Sequence, residues 1–120
     1  MHNLPICVDA SLVVRLMQSG TYESPIVMLW KEWHEIGRSV VAPTLLYYEV
    51  INAMHRYVVH EELLPEEAAE ALEAALELDI TLYGEAGLHR RALELASQFA
   101  LPATYDAHYL ALAETLGAEF

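Results

Sequence analysis

Short apolar runs alternate with amphipathic helical stretches along this 120-residue chain, and the alternation limits the folds open to it. The runs at residues 5–8, 39–42 and 80–83 predict three buried strands. Helical patterns separate each run from the next, which favours parallel strands joined by right-handed crossovers. The expected fold class is therefore α/β, a three-layer α/β/α domain with a short parallel sheet.

Six helices are expected, and their ends carry capping or helix-breaking residues. Ser11 is the predicted N-cap of the first helix, and glycines are predicted to end the first, second and sixth helices. The predicted inward faces include Ala69, Leu72 and Leu76 in the fourth helix, Phe99 in the fifth, and Tyr109 and Leu110 in the sixth. The predicted glycine stops are Gly20, Gly37 and Gly117.

The last three residues, Ala118 to Phe120, look like the beginning of a fourth strand. A domain that stops inside a strand would leave sheet hydrogen bonds unmade. We therefore expect residues 1–120 to form a single domain that lacks its C-terminal end and has a truncated last strand.

The charge balance argues against a broad electrostatic attraction for nucleic acid. The chain has 18 acidic residues and only 6 Lys and Arg, which gives a net charge of −12. A phosphate substrate would have to be held locally, by metal ions or by a few arginines. The apolar stretches fall short of the roughly 20 residues of a membrane span. The N-terminus lacks a signal-peptide pattern, so we expect a cytoplasmic protein with no membrane association. The single cysteine, Cys7, lies in a predicted buried strand and is not expected to be reactive.

Three acidic residues follow buried segments and are candidate site residues: Asp9 after the first strand, Glu49 in the helix after the second, and Asp106 in the first turn of the last helix. All three positions can open onto the edge of the sheet where α/β domains bind ligands. Carboxylates gathered there repel each other unless a cation lies between them. Mg²⁺ or Mn²⁺ is the expected cofactor, since hard cations prefer oxygen ligands.

Each acid also has a simpler interpretation. Asp106 is placed to interact favourably with the helix dipole, Asp9 to cap its helix, and Glu49 to pair with Arg56 or with a Lys or Arg elsewhere. His108 is expected to point away from Asp106 and to have no direct role.

Three segments resemble the successive motifs of PIN domains, in particular of VapC-type toxin ribonucleases: ICVDAS at residues 6–11, LYYEVINA at residues 46–53 and TYDAHYLALAE at residues 104–114. The resemblance implies a PIN-like fold and Mg²⁺- or Mn²⁺-dependent cleavage of single-stranded RNA. It implies Asp9, Glu49 and Asp106 as catalytic and metal-binding acids, with Ser11 and Thr104 as supporting hydroxyls. It also implies an antitoxin protein as partner. The family usually has a further aspartate after the fourth strand, and this sequence stops at Phe120.

The resulting hypothesis is a metal-dependent endoribonuclease, the toxin of a type II toxin–antitoxin pair. The alternative is a catalytically degenerate PIN domain that binds RNA or a protein. Receiver domains and haloacid-dehalogenase-type phosphatases fit less well, because Asp9 has no second acid beside it and Ser11 stands two residues later. We expect a homodimer, for which exposed apolar stripes and Trp30 and Trp33 are candidates, although burial of both tryptophans in the core is favoured.

Overall fold

A parallel three-stranded sheet forms the centre of the computed structural model, which describes residues 4–18 and 24–120. The strands are β1 (Ile6–Cys7), β2 (Val40–Pro43) and β3 (Thr81–Tyr83), in the order β1-β2-β3. Ile6 lies opposite Val40, and Val41 lies opposite Thr81. The class and the positions of the three strands agree with the sequence prediction, with small differences at the strand ends. The prediction of burial holds for β1 and β2 but is wrong for β3, where Thr81 and Leu82 are exposed.

The C-terminal residues extend the sheet at the free edge of β1. Glu119 forms a parallel bridge with Ile6. The Glu119 amide donates to the Pro5 carbonyl at 2.9 Å, and the Cys7 amide donates to the Glu119 carbonyl at 2.7 Å. The predicted beginning of a fourth strand is therefore present as a short pairing beside β1.

Six helices are described around the sheet. They are α1 (Ala10–Gln18), α2 (Pro25–Glu35), α3 (Leu45–Val59), α4 (Pro65–Leu76), α5 (Ala86–Gln98) and α6 (Tyr105–Leu116). Gly37 follows α2 with φ 78° and Gly117 ends α6 with φ 62°, a backbone region that glycine enters without steric cost. The predicted stop at Gly20 lies outside the described residues.

The side chains of β1 and β2 alternate between two apolar layers, as expected for strands that are covered on both faces. Ile6 and Val40 join a cluster with residues of α1 to α4, whereas Cys7 and Val41 join a cluster with α5 and α6. Trp33 is buried in the first cluster and Trp30 packs against it, so both tryptophans belong to the core. This arrangement is the predicted three-layer fold.

The inward face of α4 differs from the prediction by about one position. Ala75 is fully buried, whereas Ala69 and Leu76 are exposed. Because alanines line this face, α4 approaches α3 closely enough for the Tyr47 hydroxyl to donate to the Ala75 carbonyl at 2.7 Å. Leu72 packs against the core as predicted. The prediction is wrong for Ala69 and Leu76, because an alanine-rich helix offers two similar stripes.

Two other predicted inward residues, Phe99 and Leu110, are exposed. Phe99 stands at the C-cap of α5, where the chain leaves the sheet. On α6 the buried face is made by Ala107, Tyr109, Ala111 and Leu112. No helix in the described ranges has both the length and the apolar character of a membrane span.

Candidate active site

Asp9 follows β1 directly and caps α1. Its Oδ1 atom accepts hydrogen bonds from the Leu12 amide at 3.1 Å and from the Ser11 hydroxyl at 2.8 Å. Asp9 is therefore the N-cap, which confirms the simpler interpretation of Asp9 and corrects the prediction for Ser11. The aspartate suits the cap because it comes one residue before the helix and reaches the N3 amide. In the described part of the chain no hydrogen bond reaches the other oxygen, Oδ2.

Glu49 lies in the second turn of α3 and is half-buried. The start of α3 packs against the end of β3: the Thr44 amide donates to the Tyr83 carbonyl at 2.9 Å, and a Cβ on Gly84 would lie 2.9 Å from the Thr44 side chain. The Tyr109 hydroxyl donates to Glu49 Oε1 at 2.5 Å. The ion pairs found among the described residues are those of Arg38 and Arg91, so the predicted alternative of a Glu49–Arg56 pair is wrong.

Tyr109 connects β1, α3 and α6 at the site. Its ring is buried and stacks on Phe120 with a centroid distance of 5.8 Å, and its carbonyl accepts from the Cys7 thiol at 3.8 Å. Burial, then the hydrogen bond to Glu49, then the charges of Glu49 and Asp9 raise the pKa of the Tyr109 phenol. The phenol therefore stays protonated as a donor.

Glu49 accepts the hydrogen bond of this hydroxyl, and the charge of Asp9 also contributes to the raised pKa of the phenol. Asp9 acts on Cys7 as well: burial and then the charge of Asp9 raise the pKa of the thiol to about 12. Cys7 is thus unreactive, as predicted. The sequence pattern predicts only a packing role for Tyr109. Its place three residues after Asp106, on the same side of a helix, was the available signal for a polar role.

Asp106 lies in the first turn of α6, is exposed, and precedes Tyr109 by one turn. No hydrogen bond or ion pair of its side chain is found within the described residues. Thr104 is at the N-cap of α6 without a side-chain cap bond, and its carbonyl accepts from His108 Nδ1 at 2.7 Å. His108 Nε2 lies 2.8 Å from His89 Nδ1, so the ring is engaged away from Asp106.

The carboxylate oxygens of Asp9, Glu49 and Asp106 are the kind of ligand that a hard divalent cation prefers. Within the described ranges, however, no three His, Cys, Asp or Glu side chains form a cluster that could hold a metal ion. Asp9 and Glu49 each keep one carboxylate oxygen outside the hydrogen bonds described above. Mg²⁺ is commonly bound by one or two carboxylates, with waters and substrate phosphates completing its shell. Asp9 and Glu49, each with one such oxygen, fit that requirement in their chemistry.

Comparison with known proteins agrees with the geometry. No curated protein matches the chain. The profile of the PIN domain matches residues 6–120, which is nearly the whole chain and includes all three acid-bearing segments. The chain therefore belongs to the PIN domain family.

Proposed function

We propose that this PIN domain is a metal-dependent endoribonuclease that hydrolyses phosphodiester bonds in single-stranded RNA. PIN domains are generally nucleases, and the finer assignment is supported by one observation above all. Glu49 accepts from the hydroxyl of Tyr109, sixty residues further along the chain, and the charge of Asp9 also raises the pKa of that phenol. Asp106 stands one turn before that tyrosine and is the proposed third acid.

The proposed roles follow from the contacts of each side chain. Ser11 and the Leu12 amide fix Asp9 through Oδ1, which leaves Oδ2 for a ligand. Tyr109 fixes Glu49 through Oε1 in the same way. Asp9, Glu49 and Asp106 would hold Mg²⁺ or Mn²⁺, with Thr104 as a supporting hydroxyl. The cation, when bound, would neutralise charge on the phosphate and acidify the attacking water.

The central experiment compares Asp9→Asn with Asp79→Asn in an RNA cleavage assay with Mn²⁺. Asparagine is also a good N-cap, so Asp9→Asn should fold while it loses the anionic oxygen. Asp79 is an exposed aspartate just before β3, at the opposite end of the strands, and its substitution changes the net charge equally. We expect cleavage to be abolished in Asp9→Asn and retained in Asp79→Asn. A fully active Asp9→Asn variant would contradict the proposal.

A catalytically degenerate PIN domain is the second candidate, favoured by the lack of a three-ligand cluster among the described residues. Calorimetric titration with Mn²⁺, run beside the cleavage assay, separates the two functions. An enzyme binds Mn²⁺ and cleaves RNA, whereas a binding module does not cleave.

We further propose that the protein is the toxin of a type II pair and acts in the cytoplasm. A cavity of about 620 Å³ between α1, α3 and α4 supports a basic partner, because apolar side chains form its floor and Glu62, Glu67 and Glu70 line it. An antitoxin with a basic segment would complement these charges. Co-purification with the product of a small neighbouring gene tests this role, and a chain that purifies alone when both are expressed would contradict it.

A further inference from the structure

A groove of about 340 Å³ leads away from the candidate site between α1 and α3. Ser11 and Glu49 line the end near the site. Further along, the groove is lined by Arg15 and Gln18 from α1 and by Arg56 and Tyr57 from α3.

The two arginines follow the site residues at helical spacing. Arg15 comes four residues after Ser11, which places it on the same side of α1 about 6 Å further along the axis. Arg56 comes seven residues after Glu49, about 10 Å along α3. The groove therefore passes from the carboxylate end to a cationic stretch.

This placement is notable because the chain has only six Lys and Arg residues. Arg38 pairs with Glu119 at 2.8 Å, and Arg91 pairs with Glu114 at 2.7 Å. Lys31 and Arg90 are exposed on α2 and α5. Arg15 and Arg56 line one groove together with the candidate site residues Ser11 and Glu49.

We propose that the groove between α1 and α3 binds the phosphodiester backbone of the RNA beside the scissile phosphate, through Arg15 and Arg56. The inference rests on the proposed function. A net charge of −12 gives no general attraction for a polyanion, so phosphate contacts have to be local. Guanidinium groups bind phosphate oxygens with paired hydrogen bonds, and they contact any RNA sequence alike.

The far end of the groove limits the length of strand that is bound. Val14, Gln18 and Tyr57 line this groove and also the cavity that carries Glu62, Glu67 and Glu70. These carboxylates repel phosphates, so the bound strand has to leave the surface after the two arginines. The groove therefore accounts for only a few phosphates.

The test measures binding of a short, fluorescein-labelled, mixed-sequence single-stranded RNA by anisotropy, in EDTA and over a range of KCl concentrations. Arg56→Gln should weaken binding about tenfold, the effect of a lost charge-assisted hydrogen bond. It should also lower the slope of log affinity against log salt by about 0.7 for each phosphate released. Arg56→Lys should keep most of the slope. Arg90→Gln, with the same charge change on exposed α5, should bind as the wild type does.

Equal losses in Arg56→Gln and Arg90→Gln, no loss in Arg56→Gln, or no RNA binding by the wild type would each overturn the inference. The readout does not depend on metal or cleavage, so its failure is distinct from failure of the proposed function. If Asp9→Asn abolishes cleavage but Arg56→Gln binds RNA as the wild type does, the RNA-binding role of the groove is excluded and the proposed nuclease function stands. If Arg56→Gln weakens RNA binding but the wild type does not cleave RNA, the nuclease function is excluded and the RNA-binding role of the groove stands.

Discussion

Tyr109 is the residue on which the position of the Glu49 carboxylate depends. Its buried phenol donates one hydrogen bond to this charged group, and the pKa of the phenol is raised mainly by burial. Because the pKa of the phenol is higher in the folded protein than in the unfolded chain, its contribution to stability is complete below pH 10.0, the unfolded pKa. It is lost as the pH rises from there through the folded pKa.

We expect Tyr109→Phe to lower the free energy of unfolding by about 1.5–3 kcal/mol at neutral pH, because Glu49 loses its donor. The variant should also lose less stability than the wild type between neutral pH and strongly alkaline pH. Urea unfolding at several pH values measures both effects. If the two proteins lose stability in parallel above pH 10, the phenol is not the group that titrates.

At the scale of elements, helix and strand positions could be predicted from the sequence, but helix orientation in α4 and the site contacts could not. The strands followed from short apolar runs, and the start of α2 followed from Pro25. The prediction of the inward face of α4 was wrong at Ala69 because Ala69 and Ala75 are equally small, so hydrophobicity does not distinguish them. The link from Glu49 to Tyr109 spans sixty residues and depends on packing that local patterns do not encode.

The orientation of α4 leads to a paired prediction. Ala75→Glu should lower the free energy of unfolding by about 3–5 kcal/mol, because it places an unpaired charge in the core against α3. Ala69→Glu adds the same side chain on an exposed face and should change stability by less than about 0.5 kcal/mol. Thermal or urea unfolding of the two variants decides the point. The opposite order of stabilities would restore the face predicted from the sequence.

For the whole molecule, the open question is which surface the expected homodimer uses. Both tryptophans pack in the core, so neither is available to an interface formed by the first helices. The outer face of α3 is the better surface, since Tyr48, Ile51 and His55 share one groove there and Tyr48 is 74% exposed. Ile51 also lines the next groove, between α3 and α4, so the apolar surface is continuous.

We propose that this face of α3 forms the dimer, and we expect Ile51→Glu to be a monomer in light scattering coupled to size-exclusion chromatography. Leu93→Glu is the matched control, because Leu93 is an exposed leucine on α5 and its substitution adds the same charge. It should remain dimeric. Two protomers of charge −12 repel each other, so dimer formation should strengthen as added salt screens that repulsion. A wild type that is monomeric at every salt concentration, or an Ile51→Glu variant that stays dimeric, would exclude this surface.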